Sequence, residues 1–281
     1  MKNEIVFKSA AGRQAILGVY DSVLEGWPVP FQMRRVETRH GQTFLIECGQ
    51  ASAPALVLLH GAGSNAAFWR GEVETLGRTW RVLIPDIPGE AGKSEERRAS
   101  LSSPAYVEWL EDLFAAEGLD QVAVAGLSLG AWMGMKFAAA HPQQVSRLAL
   151  LSASGIAPQK NSFLLLAVAL MLCGDWGLER MARMVGGGQP MPREVMDYTK
   201  LIHREFNARL EVVPLLSDEE LARLSMPVLL WMGEKDVMLD SRKSAARLRA
   251  LLPHAEVEVS QGVGHVLPRM GTRIGAFLEE R

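Results

Sequence analysis

The segment Gly126-Leu127-Ser128-Leu129-Gly130 restricts the possible folds of this chain more than any other. It follows the apolar run Val122-Ala123-Val124-Ala125 and precedes the helix-like stretch Ala131–Ala140. A strand that turns at once into a helix must hold its turn residue in a strained conformation. Glycines two residues to either side remove side chains that would collide there. The pattern G-x-S-x-G has meaning only in this strand–turn–helix setting. The serine hydroxyl is then held clear of the sheet, at a helix N-terminus that favours negative charge. Ser128 is therefore read as a nucleophile rather than as a plain turn serine.

The flanking sequence alternates short apolar runs with helical segments. Strands are expected at Met33–Thr38, Thr43–Cys48, Ala55–Leu59, Arg81–Asp86, Gln121–Ala125, Arg147–Leu151, Pro227–Met232 and Ala255–Val259. The run Ala55-Leu56-Val57-Leu58-Leu59 has no polar residue, as suits a strand covered on both faces of a parallel sheet. His40-Gly41 marks a turn between the first two strands. Helices are expected at residues 9–25, at Pro104–Glu117, at Ser241–Leu252 and around Arg269–Glu279. In the first, Ala15, Ile16, Val19, Tyr20, Val23 and Leu24 recur at helical spacing, and Pro28 and Pro30 end it. The fold class is α/β: a mostly parallel sheet with helices on both faces.

One interval breaks this rhythm. Between Ala157 and Ser225 no strand signal occurs. The interval holds the apolar run Phe163–Cys173, the break Gly186-Gly187-Gly188 and further helical segments. It reads as a helical lid inserted between two core strands, with the glycine triplet as a turn rather than a hinge. The expected plan is an N-terminal helical extension over 1–30, a core over 31–156 and 226–281, and a lid over 157–225. The extension would pack on the sheet or on another subunit.

Composition narrows the function. A chain of 281 residues suits one α/β domain with an insertion. Its net charge of −2 offers no basic surface for nucleic acid or an anionic membrane. The run Phe163–Cys173 is shorter than the roughly 20 apolar residues a membrane span needs, and reads as a buried or pocket-lining helix. Cys48 and Cys173 are too few for a disulfide framework and lack metal-ligand spacing. The stretch Met1–Lys8 lacks the apolar core of a signal peptide, so the expected location is cytoplasmic. There is no H-E-x-x-H set and no glycine-rich phosphate loop, and no metal or organic cofactor is expected.

A serine nucleophile needs a base and an orienting acid. Catalytic groups of open α/β sheets gather at the carboxyl ends of strands. Gly233-Glu234-Lys235-Asp236 places Asp236 just past a buried strand, and Gly262-Val263-Gly264-His265 places His265 past the last one. Glu234 and Asp240 lie close enough in sequence to stand as alternatives for the acid. His40, His141, His203 and His254 lack the strand-end setting, and His60 reads as a structural shaper of its loop. Of the seven tryptophans, Trp69 and Trp132 are placed near the site.

With His60-Gly61-Ala62-Gly63, Gly126–Gly130, Gly233–Asp236 and Gly264-His265 in this order, the chain resembles the α/β-hydrolase superfamily over nearly its whole length. Within it, the chain is similar to lid-bearing, carboxylesterase-like serine hydrolases. The resemblance implies a triad in which Ser128 attacks an acyl carbon, His265 moves the proton and Asp236 orients the imidazole. It implies an oxyanion hole made by the backbone N–H groups of Ala62 and Leu129. The implied substrate is a small or medium carboxylic ester, with an apolar moiety if the apolar run lines the pocket. Dehalogenases and epoxide hydrolases of this fold carry aspartate where Ser128 stands. Thioesterase, lactonase, carbon–carbon hydrolase, perhydrolase and slow-turnover ligand sensor all stay compatible with a serine triad. One departure stands out. The family turn Asp-x-x-Gly-x-Gly-x-Ser reads here Asp86-Ile87-Pro88-Gly89-Glu90-Ala91-Gly92-Lys93-Ser94, with one extra residue between the glycines.

Overall fold

The short apolar runs become strands of one sheet in a computed structural model that describes residues 6–280. The first five residues, part of the stretch read for a signal peptide, lie outside the described residues. The strands are β1 (Phe31–Thr38), β2 (Gly41–Cys48), β3 (Ala55–Leu59), β4 (Arg81–Pro85), β5 (Val122–Leu127), β6 (Val145–Leu151), β7 (Val228–Gly233) and β8 (Glu256–Ser260). Their order across the sheet is β1-β2-β4-β3-β5-β6-β7-β8. β2 runs antiparallel to both β1 and β4. From β4 to β8 every neighbouring pair is parallel.

Parallel pairing requires crossovers that lay helices on the sheet faces, so central strands are buried on both sides. Side chains alternate between two cores accordingly. Val57, Leu59, Val124 and Leu230 face one core, and Leu56, Leu58, Ala125 and Leu229 face the other. The helices are α1 (Ala10–Glu25), α2 (Val73–Leu76), α3 (Ala105–Ala116), α4 (Leu129–Ala140), α5 (Asn161–Met171), α6 (Gly174–Val185), α7 (Arg193–Glu205), α8 (Asp218–Ala222), α9 (Ser241–Leu251) and α10 (Met270–Glu279). α3, α4, α8 and α9 supply Trp109, Phe137, Leu221 and Leu248 to the first core. α1, α2 and α10 supply Tyr20, Leu76 and Ile274 to the second.

The extension packs within its own chain. Ser9 caps α1 by accepting the Gly12 N–H at 2.9 Å. Tyr20 donates to the buried Asp86 carboxylate at 3.1 Å, and the Tyr198 hydroxyl of α7 lies 3.5 Å from Ile16 O. Helices α5 to α8 fill the interval between β6 and β7. α5 departs from a fully buried helix. Among its described side chains, Ala167 and Leu170 are buried, whereas Val168 and Met171, with Leu172 just past its end, are exposed. Among the described residues, no helix is long and apolar enough to cross a membrane. Cys48 is buried and Cys173 exposed, and both are free thiols.

The glycine triplet forms a turn with a packing role. A Cβ on Gly187 would lie 2.4 Å from Gly264 N, and one on Gly264 would lie 2.2 Å from Gly187 N. A Cβ on Gly233 would lie 2.0 Å from Gly264 O. Three backbones thus touch where the insertion meets the loops after β7 and β8. Gly264→Ala is expected to lower stability by about 3 kcal/mol, because backbone atoms on three segments must move apart. Gly18→Ala, mid-helix with nothing within 4 Å of the added methyl, is expected to raise it by up to about 1 kcal/mol. Urea unfolding of both variants checks the contrast.

Candidate active site

Ser128 sits between β5 and α4 with φ 54° and ψ −107°, a conformation that costs a non-glycine residue roughly 1–3 kcal/mol. Its neighbours make the turn passable. A Cβ on Gly126 would stand 2.5 Å from Ala131 N, and one on Gly130 would stand 2.4 Å from Leu59 O. The flanking backbone pins the turn as well. Ser128 N–H donates to Leu151 O at 2.9 Å, and Ser128 O accepts from Trp132 N at 3.1 Å. The serine itself is half-buried, just past the carboxyl end of β5.

The acid and the imidazole meet across the ends of β7 and β8. His265 Nδ1 donates to Asp236 Oδ2 at 2.7 Å, with both side chains buried. Asp236 Oδ1 accepts from Met238 N at 2.8 Å and Leu239 N at 3.0 Å. Burial pushes the Asp236 carboxyl up, but the bonds from His265, Leu239 and Met238 outweigh it and hold the group below the usual carboxylate range. The two alternatives are engaged elsewhere. Asp240 caps α9 by accepting the Lys243 N–H at 3.0 Å, and Glu234 lies exposed with Gly262 N at 3.3 Å. Ser128 Oγ has one partner at hydrogen-bonding distance among the described residues, Ser154 Oγ at 3.4 Å. The structure therefore joins Asp236 to His265 and leaves Ser128 beyond hydrogen-bonding reach of the imidazole. Catalytic contacts are often this long before substrate binds.

The loop after β3 runs beside the serine. A Cβ on Gly61 would stand 3.7 Å from Ser128 Cβ. His60 shapes this loop from a fully buried position. Its Nδ1 donates to Gly61 O at 2.9 Å while its Nε2 accepts the Ile87 N–H at 2.9 Å. Burial lowers its pKa to about 4, so it is neutral in the fold. The N–H groups of Ala62 and Leu129 have no acceptor among the described residues. For Leu129 this follows from its place at the first position of α4.

Several neighbours escaped sequence reasoning. Ser152 Oγ donates to His265 O at 2.7 Å, and Val185 O, at the end of α6, accepts the His265 N–H at 2.7 Å. Ser152 and Ser154 follow β6, so the strand-end rule that located Asp236 and His265 points to them too. Val185 acts through its backbone and leaves no mark in sequence. Trp132 is buried and donates to Pro214 O at 2.9 Å, while Trp69 packs into the second core. His40 pairs with Glu108 and His141 with Glu111, both on α3.

A cavity of about 780 Å³ lies between the insertion and the Asp236 loop, lined among others by Phe163, Leu166, Arg183, Met184, Lys235 and Val237. The apolar helix thus does line a pocket, although Ser128 is not among the lining residues. No three His, Cys, Asp or Glu side chains among the described residues converge as a metal-binding set.

Comparison with known proteins agrees with this architecture. Residues 56–274 match the model of the alpha/beta hydrolase family. An uncharacterized carboxylesterase, nap, of Bacillus subtilis (strain 168) is 32% identical over 257 residues, spanning 88% of this chain and 85% of that one. The crystal structure of naproxen esterase from Bacillus subtilis is 28% identical, with a TM-score of 0.84 over 97% of this chain and 100% of that one. The crystal structure of carboxylesterase CesB (YbfK) from the same organism is 26% identical, with a TM-score of 0.84 over 96% of this chain and 99% of that one.

The buried groups beneath the serine loop respond to acid in opposite senses. The folded state resists protonation of His60, so that contribution is present above pH ~6.5 and is lost as pH falls toward about 4. Burial raises Asp86 to about 6, so its contribution is present at low pH and is lost as pH rises through about 6. Asp86→Asn removes the opposing term. Between pH 6.5 and 4.5 that variant is expected to lose about 2 kcal/mol more stability than the unaltered chain. Urea midpoints at the two pH values measure the difference.

Proposed function

We propose that this chain, which belongs to the α/β-hydrolase family, is a carboxylesterase that cleaves a small or medium, apolar carboxylic ester through Ser128, His265 and Asp236. The observation that carries this reading is the 2.7 Å contact of buried His265 and Asp236, together with a strained serine at the β5–α4 turn. Similarity to carboxylesterases over most of the chain supports the bond class.

In the proposed reaction Ser128 Oγ attacks the acyl carbon and passes its proton to His265 Nε2. Asp236 accepts the Nδ1–H, fixes that tautomer and stabilises the imidazolium. The acyl oxygen takes the negative charge and is held by the N–H groups of Ala62 and Leu129. Each such donor is worth about 2.7–4 kcal/mol in the transition state. Collapse expels the alcohol with the proton from His265 and leaves an acyl-enzyme. Water, deprotonated by His265, then attacks the acyl carbon and releases the acid and Ser128.

The interval 157–225 acts as a helical lid over a core of 31–156 and 226–281, with 1–30 as a helical extension. Phe163, Leu166, Met184 and Val237 line the cavity beside charged Arg180, Arg183, Glu234 and Lys235, and this apolar part supports an apolar substrate moiety. The free thiols support a reducing, cytoplasmic location.

Turnover of p-nitrophenyl esters of graded acyl length tests the reading. The unaltered chain is expected to hydrolyse short and medium esters, and Ser128→Ala to lose about a thousandfold or more in kcat. Asp236→Asn is expected to lose about 10⁴-fold by trapping the wrong tautomer, with Asp240→Asn staying within about twofold. Full turnover by Ser128→Ala, or the reverse ranking of the two aspartates, would overturn the assignment.

A further inference from the structure

The loop after β4 holds two residues, Glu90-Ala91, where the family turn has one between its glycines. The backbone demands both glycines. Gly89 has φ +78°, and a Cβ on Gly92 would stand 2.5 Å from the Asp86 carboxylate. Glu90 turns inward. Its side chain is fully buried, and Oε2 accepts the Gly63 N–H at 2.7 Å. Gly63 is one residue past Ala62, has φ +64°, and nothing lies within 4 Å of where its Cβ would be. Packing therefore does not fix this turn, and glycine is the residue least able to fix itself.

Counter-charge comes from Arg209, in the insertion, and from Arg98. Arg209, just past α7, is almost wholly buried and brings Nε to 3.5 Å from Glu90 Oε1. Neither of those two atoms has a hydrogen-bond partner among the described residues. The rest of the guanidinium is held by Ala99 O at 3.0 Å, Glu211 at 3.1 Å and the Tyr106 hydroxyl. A second tie runs parallel to the first. Asn65 Nδ2 donates to Ala91 O at 2.8 Å and to the Tyr198 hydroxyl of α7 at 2.7 Å. A buried charge is retained only where it is paired, and the backbone N–H that this carboxylate accepts is that of Gly63, in the serine-side loop.

We infer that Glu90 is a positioning residue for the oxyanion donor: its carboxylate, countered by Arg209 of the insertion, holds the Gly63 peptide so that the Ala62 N–H faces the acyl oxygen. This rests on the esterase reading above. The two peptide planes share only Ala62 Cα, so a fixed Gly63 N–H limits how far the Ala62 N–H can rotate. A donor held in place before reaction spends nothing on reorganisation, which is where an oxyanion hole obtains its effect. The pairing also makes oxyanion stabilisation depend on where the insertion sits.

Glu90→Gln, Glu90→Leu and the double variant Glu90→Leu/Arg209→Met test the inference on p-nitrophenyl butyrate, with Ser128→Ala alongside. Gln keeps an acceptor for the Gly63 N–H and Leu does not. The expected result is a roughly tenfold to hundredfold fall in kcat for Glu90→Leu, with KM within about twofold and most activity recovered in Glu90→Gln. The double variant removes both buried charges and so is relieved of an unpaired arginine. It is expected to fold and still show the loss, and it carries the test should Glu90→Leu fail to fold. Affinity for a trifluoromethyl ketone, whose addition product places an oxyanion at the same donors, is expected to fall by the same factor. Unaltered kcat in the double variant, or a loss confined to KM, would overturn the inference. Full turnover by Ser128→Ala would instead overturn the esterase reading, so the two failures are distinct.

Discussion

The cleft depends on main chains that approach more closely than a methyl group permits. At the β5–α4 turn, Gly130 lies against Leu59 O and His60 O, and Gly126 against the first turn of α4. The end of β3 is thereby locked to the elbow that presents Ser128, and the loop bearing Ala62 begins from that same point. The strain stored at Ser128 persists because close packing on both sides leaves no relaxed alternative. The same device recurs at Gly233, Gly264 and Gly187, where the loops after β7 and β8 meet the insertion. Positions of the candidate groups are in this sense set by backbone contact first and by side chains second.

Polar contacts then join the insertion to the loops that carry His265, Asp236 and Ala62. Val185 O holds the His265 N–H, Lys160 Nζ donates to Asp236 O at 2.6 Å, and Tyr198 accepts from Asn65 in the loop that contains Ala62. Arg209 adds the ion pair with Glu90. The Glu90–Arg209 pair lies in low dielectric, where each bond is stronger and each missing partner more costly. An insertion attached in this way is more than a cover over a preformed site. Its helices complete the hydrogen bonding of the loops beneath them.

The strands were legible because burial on both faces writes continuous apolar runs, and the observed ends differ from the expected ones by a few residues. The elbow and the glycine-flanked His265 loop were legible because few residue types satisfy such close approach. The acid was ambiguous among Glu234, Asp236 and Asp240, since the loop path alone decides which carboxylate reaches the imidazole. α5 was read as buried or pocket-lining, and Phe163 and Leu166 do line the cavity. An apolar run signals contact with something, yet here Val168 and Met171, with Leu172 just past the helix end, stay exposed. The loop Gly89–Ser94 was visible as a departure from pattern, yet its consequence for Gly63 was not.

By itself, the sequence determined the sheet, the helices that cover it, the serine turn and the order in which serine, acid and histidine follow one another. Those features are local: they arise from hydrophobic period, from glycine at sterically crowded turns and from strand ends. Tertiary structure alone decided that Asp236 rather than Asp240 meets His265, that α1 docks beneath α7, and that Glu90 and Arg209 share a buried pocket beside the Ala62 loop. Each of these joins residues far apart in the chain or chooses between near neighbours by the path of one loop. Such contacts depend on how rigid pieces settle against one another, which no local pattern records.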